Sequence, residues 1–124
     1  AQKAQNIDLD NTTIINDDFH TFCNNTSKRF DLVIGNPPYI RYQFFDKQQQ
    51  VGAEDIFIKA GLRYSKLTNA WVSFVVGASL LLKEDGGKIG FVLPAEVLQV
   101  SFALQLRQFI AQFYNKINII SFEK

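Results

Sequence analysis

The sequence predicts an α/β fold: a doubly wound, mostly parallel sheet with helices on both faces. Two observations carry this reading. The strand-like segments are continuous apolar runs rather than apolar–polar alternations, as expected of strands covered on both sides. Helix-like stretches separate the last three of these runs, and parallel strands need such crossovers.

Taken in order, Thr12–Asn16 (TTIIN) is short and β-branched, and Asp17 and Asp18 close it, so it reads as the first strand. Residues 30–34 (FDLVI) read as the second, ended by Gly35, Asn36, Pro37 and Pro38. Proline has no N–H to give a ladder, so a strand stops there. Over residues 54–67, apolar positions 56, 57, 60, 64 and 67 fit a helical stripe. The pattern resumes over 69–83 with Trp71, Phe74, Val75, Ala78, Leu81 and Leu82. Val72, Val76 and Leu80 make that helix apolar elsewhere too, which predicts burial. Asp85, Gly86 and Gly87 form a turn, and residues 88–93 (KIGFVL) read as the third strand, stopped by Pro94. Ser101 suits the N-cap of a helix carrying Phe102, Leu106, Phe109, Ile110 and Phe113 on one face. Residues 117–122 (INIISF) read as the fourth strand.

The chain has 124 residues, of which 47% are hydrophobic, 20% charged and 14% aromatic. That suits one modest domain with a real core and excludes disorder and collagen-like repeats. Thirteen basic side chains stand against twelve acidic ones, a net charge of +1 that neither identifies nor excludes a nucleic-acid partner. The charge is uneven: residues 36–66 carry five basic and three acidic side chains. The single cysteine, Cys23, cannot form an internal disulfide or a multi-cysteine zinc site and reads as a spectator thiol. No metal site is expected. His20 has no partner at metal spacing and reads as a solvated loop residue; Trp71 reads as core and Arg107 as helix surface. No apolar run spans a bilayer, and the N-terminal residues do not resemble a signal peptide, so a cytoplasmic protein without membrane attachment is expected.

The chemically informative word is Asn36-Pro37-Pro38-Tyr39, directly after an apolar strand. The carboxyl ends of parallel strands are where open α/β sheets place ligands. An aromatic amino group is a weak nucleophile because its lone pair is delocalised into the ring. An Asn side-chain oxygen and the following backbone carbonyl, one on each amino hydrogen, favour a tetrahedral nitrogen and release that pair. Two prolines fix φ and remove competing N–H groups, and Tyr39 offers a flat face for a planar base.

This word resembles the catalytic motif of S-adenosylmethionine-dependent amino-methyltransferases. Its continuation Ile40-Arg41-Tyr42-Gln43 resembles the adenine-N6 DNA methyltransferases of bacterial restriction–modification systems, including fused endonuclease–methylases. The words at 69–74, 80–82 and 87–94 resemble the following helix and strand of that family, in the family's order. The resemblance implies a Rossmann-like sheet and methyl transfer to the N6 amino group of an adenine flipped from double-stranded DNA. It further implies that Asn36 and the Pro37 carbonyl hold the amino group, with Pro38 stiffening the turn and Tyr39 stacking on the base. Asp18 matches the acidic position that contacts the cofactor's adenine, with Phe19 beside that ring. Arg41 and Tyr42 are then candidate DNA contacts.

More ordinary readings stand beside these. Asp18 also suits a helix or turn cap, and Arg41, Tyr42, Phe44 and Phe45 also suit packing over the core. A protein-glutamine methyltransferase of release factors shares the Asn-Pro-Pro-Tyr-Ile word, and a non-catalytic interaction module would keep the same fold. The family's glycine-rich cofactor loop and its ribose-binding acidic residue have no counterpart in these 124 residues. The chain is therefore expected to be one partial domain, the catalytic half of a methyltransferase sheet, binding S-adenosylmethionine poorly on its own. Its exposed sheet edges are expected to favour homo-oligomers.

Overall fold

The structure is a computed structural model and describes residues 5–9, 11–95 and 103–121. The β-branched run Thr12–Asn16 (β2) forms the expected strand, but its neighbour is Gln5–Leu9 (β1), an unexpected antiparallel partner. Gln5 lies opposite Asn16 and Leu9 opposite Thr12, with residues 10–11 between the strands. So short a connection permits only a hairpin, and β2 accordingly belongs to a separate two-stranded sheet.

The chain then turns into Phe19–Asn25 (α1) and crosses to Leu32–Gly35 (β3). β3 pairs in parallel with Lys88–Phe91 (β4), Leu32 opposite Lys88 and Gly35 opposite Phe91. Phe30 extends this pairing outside the strands: its N–H donates to the Leu81 carbonyl at 2.8 Å and its carbonyl accepts from Lys83 N–H at 2.9 Å. Between the parallel strands run a short 3-10 turn (Tyr42–Phe44), Lys47–Lys59 (α2) and Trp71–Leu80 (α3). Leu104–Phe113 (α4) follows β4. The α/β class with a parallel pair and packed helices is that of a partial Rossmann-like sheet.

Two of the predicted elements differ from the sequence reading. α2 begins well before residue 54, because Asp46 and Gln49 form a reciprocal capping box: Asp46 Oδ1 accepts from Gln49 N–H at 2.8 Å. It ends near Gly61, whose φ of +72° is left-handed, so residues 62–67 are loop and not helix. Residues 117–121 form no strand, and Ile119 and Ile120 are exposed. Apolar β-branched residues need a neighbouring ladder to become a strand, and no described strand pairs with them. Ser101, Phe102 and Phe122 lie outside the described residues.

α3 is the centre of the core. Trp71, Val72, Val75 and Val76 are buried on it, against Tyr42, Ile56, Phe57 and Leu106. Gly77 lets α1 approach closely: a Cβ there would lie 3.0 Å from Phe19 and 3.1 Å from the Cys23 sulfur. On the other side, Leu32 and Ile34 of β3 remain exposed. Among the described residues no helix is long and apolar enough to cross a membrane, and no group of His, Cys, Asp and Glu side chains is arranged to hold a metal ion.

Candidate active site

The motif leaves the sheet where β3 ends. Gly35 keeps that place close-packed, since a Cβ would sit 3.2 Å from the Phe91 ring and press it aside. Its carbonyl accepts from Val92 N–H at 3.2 Å, the last bond of the parallel pair. Asn36 is then exposed, Pro37 buried and Pro38 exposed. A buried proline under an exposed asparagine anchors the turn while leaving the carboxamide in solvent. Among the described residues the Pro37 carbonyl accepts no hydrogen bond. The Tyr39 hydroxyl donates to the Val92 carbonyl at 2.9 Å, with Asn36 Oδ1 3.4 Å from the same oxygen. Tyr39 thus spans from the end of β3 to the end of β4 with half of its surface open.

Beyond Tyr39 the chain is zipped to the approach of α3. Ala70 N–H donates to the Ile40 carbonyl at 2.6 Å, Tyr42 N–H to Thr68 at 3.2 Å and Gln43 N–H to Lys66 at 3.1 Å. Arg41 faces outward; Tyr42 is fully buried. The Tyr42 hydroxyl accepts from Ser73 N–H at 2.9 Å and donates to the Ala70 carbonyl at 3.3 Å, inside a cage of Phe45, Phe57 and Tyr64 rings. Burial holds its phenol protonated far above the ordinary tyrosine range. Tyr42 therefore has no surface to offer DNA: it is the bolt that fastens this segment to α3, and the expected DNA contact at that position is corrected.

Asp18 and Phe19 lie at the start of α1. Asp18 is its N-cap, Oδ2 accepting from Thr21 N–H at 2.9 Å and from the Thr21 hydroxyl at 3.2 Å. This is the capping geometry that satisfies an orphan donor at a helix start. Oδ1 has no hydrogen-bond partner among the described residues, and a third of the side chain is exposed. Phe19 stacks on Phe74 of α3, ring centres 4.5 Å apart.

His20 corrects another expectation. It is 1% exposed, between α1 and α3, because its ring packs edge-on to Phe74 and its Nε2 meets Ser73 Oγ at 2.6 Å. Ser73 Oγ also lies 2.9 Å from the Ala70 carbonyl, to which it donates. The direction of the His20 Nε2–Ser73 Oγ bond follows the ring's tautomer, and Nδ1 has no hydrogen-bond partner among the described residues. Asp18 Oδ2 lies 4.0 Å from Nδ1, outside hydrogen-bonding distance. Burial lowers the imidazole pKa, partly opposed by the Asp18 charge, so the ring is neutral near pH 7.

The structure thus gathers Asn36, Pro37, Pro38 and Tyr39 into one surface at the strand ends and sets Asp18 with Phe19 at another place. No hydrogen bond or ring contact joins the two groups directly among the described residues. The connection runs through His20, Ser73 and Tyr42, of which sequence reasoning assigned neither His20 nor Ser73 a role. The available signal was Ser73 itself, a hydroxyl inside an otherwise apolar helix: buried polar groups are hydrogen-bonded, so it had to have partners. Cys23 donates to the Gly77 carbonyl at 3.4 Å, and burial pushes its thiol pKa up to about 11.

Known proteins resemble this chain along nearly its whole length. A family model described as Eco57I restriction-modification methylase matches residues 2–124. The type II restriction enzyme and methyltransferase RM.Eco57I of Escherichia coli is 28% identical over 97 residues, 78% of this chain and 10% of that protein. The type II methyltransferase M.BstVI of Geobacillus stearothermophilus is 28% identical over 121 residues, 94% of this chain and 20% of its own. The type II methyltransferase M.BanIII of Aneurinibacillus aneurinilyticus is 31% identical over 90 residues, 73% of this chain and 14% of its own. The chain spans between a tenth and a fifth of the length of these relatives. It belongs to the Eco57I restriction-modification methylase family.

Proposed function

We propose that this chain carries the catalytic half of a type II DNA methyltransferase that methylates the N6 amino group of adenine. The observation that supports this most is the exposed Asn36 carboxamide, set by buried Pro37 at the end of a parallel strand, beside a half-open Tyr39 ring. In this reading Asn36 Oδ1 accepts one amino hydrogen of the target base and the Pro37 carbonyl the other. Two acceptors in that relation draw the nitrogen toward tetrahedral geometry and localise its lone pair for in-line attack. They act where positive charge develops, which is where fixed dipoles contribute most. Tyr39 stacks on the flipped ring and sets its plane.

The residues present suit the adenine end of S-adenosylmethionine: among the described residues Asp18 Oδ1 lacks a partner and is an acceptor for an exocyclic amino group, and Phe19 supplies an aromatic wall. That cofactor supplies an electrophilic methyl group when bound. The capping and cofactor roles of Asp18 are compatible, because the cap uses Oδ2 alone. The seven glycines of the sequence are not spaced as a glycine-rich loop for its methionine end.

The test is radiometric methyl transfer by the full-length protein to duplex DNA and to a release factor. Label in the N6 position of adenine is the expected result. Label only in the release factor would replace this reading with the glutamine methyltransferase one.

A further inference from the structure

Beside the motif, a groove of about 760 Å³ opens between the segment at Arg41, the loop after α2 and the start of α4. Its charged lining side chains are Arg41 and Arg63, accompanied by the hydrogen-bonding groups of Thr68, Gln105 and Gln108. Both arginines are exposed, and neither guanidinium meets a carboxylate among the described residues. The walls carry no acid in sequence either. Residues 36–45, 60–69 and 104–113 contain Arg41, Arg63, Lys66 and Arg107 and no Asp or Glu. The groove's own lining thus holds two cations and no carboxylate, while Glu54 is near enough to act on Tyr64.

The two arginines are held by backbone geometry. Gln105 grips the Arg63 peptide from both sides, its Oε1 accepting from Arg63 N–H at 3.0 Å and its Nε2 donating to the Arg63 carbonyl at 2.6 Å. A glutamine reaching 42 positions back in sequence to fix one main-chain unit determines where that side chain leaves the surface. Arg41 is fixed by its bridge to Asn69, between the bonds made by Ile40 and Tyr42. The wall also holds Tyr64, whose buried hydroxyl has no partner among the described residues. Guanidinium groups on fixed stems, with amides around them and no carboxylate paired to either among the described residues, suit phosphate oxygens spaced along a polyanion.

We propose that this groove binds the sugar–phosphate backbone of DNA beside the target base, with Arg63 and Arg41 as phosphate ligands. The inference rests on the reading of DNA as substrate and adds Arg63 to the binding surface. Backbone contacts of this kind fix position without reading sequence.

The experiment is binding of the full-length protein to a labelled mixed-sequence duplex, by fluorescence anisotropy, from about 50 to 200 mM salt. Arg63→Gln and Arg41→Gln are each expected to weaken binding several-fold, alike for unrelated sequences. Each should reduce the slope of log affinity against log salt by about one. Arg63→Lys keeps the charge and should keep the slope. Lys88→Gln, an equal charge change at the start of β4, should leave both unchanged. Arg63→Gln matching the wild type in affinity and slope overturns the groove while the methyl-transfer assay still judges the proposed function. A wild-type protein that labels release factor and not DNA overturns both.

Discussion

His20 Nε2 and Ser73 Oγ meet at 2.6 Å although 53 positions separate them in sequence. This bond ties α1, which begins at Asp18 and Phe19, to the first turn of α3, where Tyr42 is also fastened. A buried histidine in such a place is retained as the neutral ring.

The sign of the resulting pH dependence follows. Burial lowers the folded-state pKa of His20, so below about pH 6.5 the unfolded chain takes up a proton that the folded chain refuses. Stability is then lost as pH falls from that value toward the lowered one, with a slope of at most about 1.4 kcal/mol per pH unit. Denaturant titrations from pH 8 to 5 should show this slope in the wild type, and the difference from His20→Gln should isolate it from the carboxylates. Parallel pH profiles for the two proteins would contradict the assignment.

Asn36→Ala removes one acceptor at the proposed reacting nitrogen. Methyl transfer by the full-length protein should fall by about 10²–10³-fold. The melting temperature should hardly move, because the side chain is exposed and packs against nothing in the core. Radiometric assay and thermal denaturation of the same preparation check both halves.

Tyr42→Phe leaves Ser73 N–H without the oxygen it donates to, in a fully buried place. A cost of about 1–3 kcal/mol is expected. Tyr39→Phe removes a hydroxyl of similar appearance in the sequence but at an open surface, and its cost should be below about 1 kcal/mol. Chemical denaturation of the pair measures the contrast.

Cys23 should react slowly while the chain is folded. With a thiol pKa near 11, about one thousandth of it is thiolate at pH 8, against roughly a quarter for an ordinary cysteine. Alkylation should accelerate by about two orders of magnitude on adding denaturant, which makes this thiol a reporter of local opening between α1 and α3.

How much of this was legible in the sequence depends on range. The turn at residues 35–39 was, because glycine and proline act locally and no distant contact overrides them. The apolar helix around Trp71 was, because an all-round apolar surface has no alternative to burial. α2 was misplaced because five apolar positions outweighed the Asp46–Gln49 cap, a polar signal of equal standing. The hairpin and the missing strand at 117–121 turn on which ladder is available, and no single segment contains that information. His20 is buried rather than solvated, and Tyr42 takes the core-packing of its two readings, for a related reason. An aromatic or imidazole beside polar residues looks exposed until the helix that covers it is in position.

The Tyr39 hydroxyl, tied to the Val92 carbonyl at 2.9 Å, also has a thermodynamic consequence. Its ring is halted in one orientation before any planar group arrives. The rotamer entropy that stacking would otherwise cost, typically about 0.5–1.5 kcal/mol for an immobilised side chain, has already been lost on folding. Breaking that tether with phenylalanine would leave the aromatic face in place and return the ring its freedom to turn.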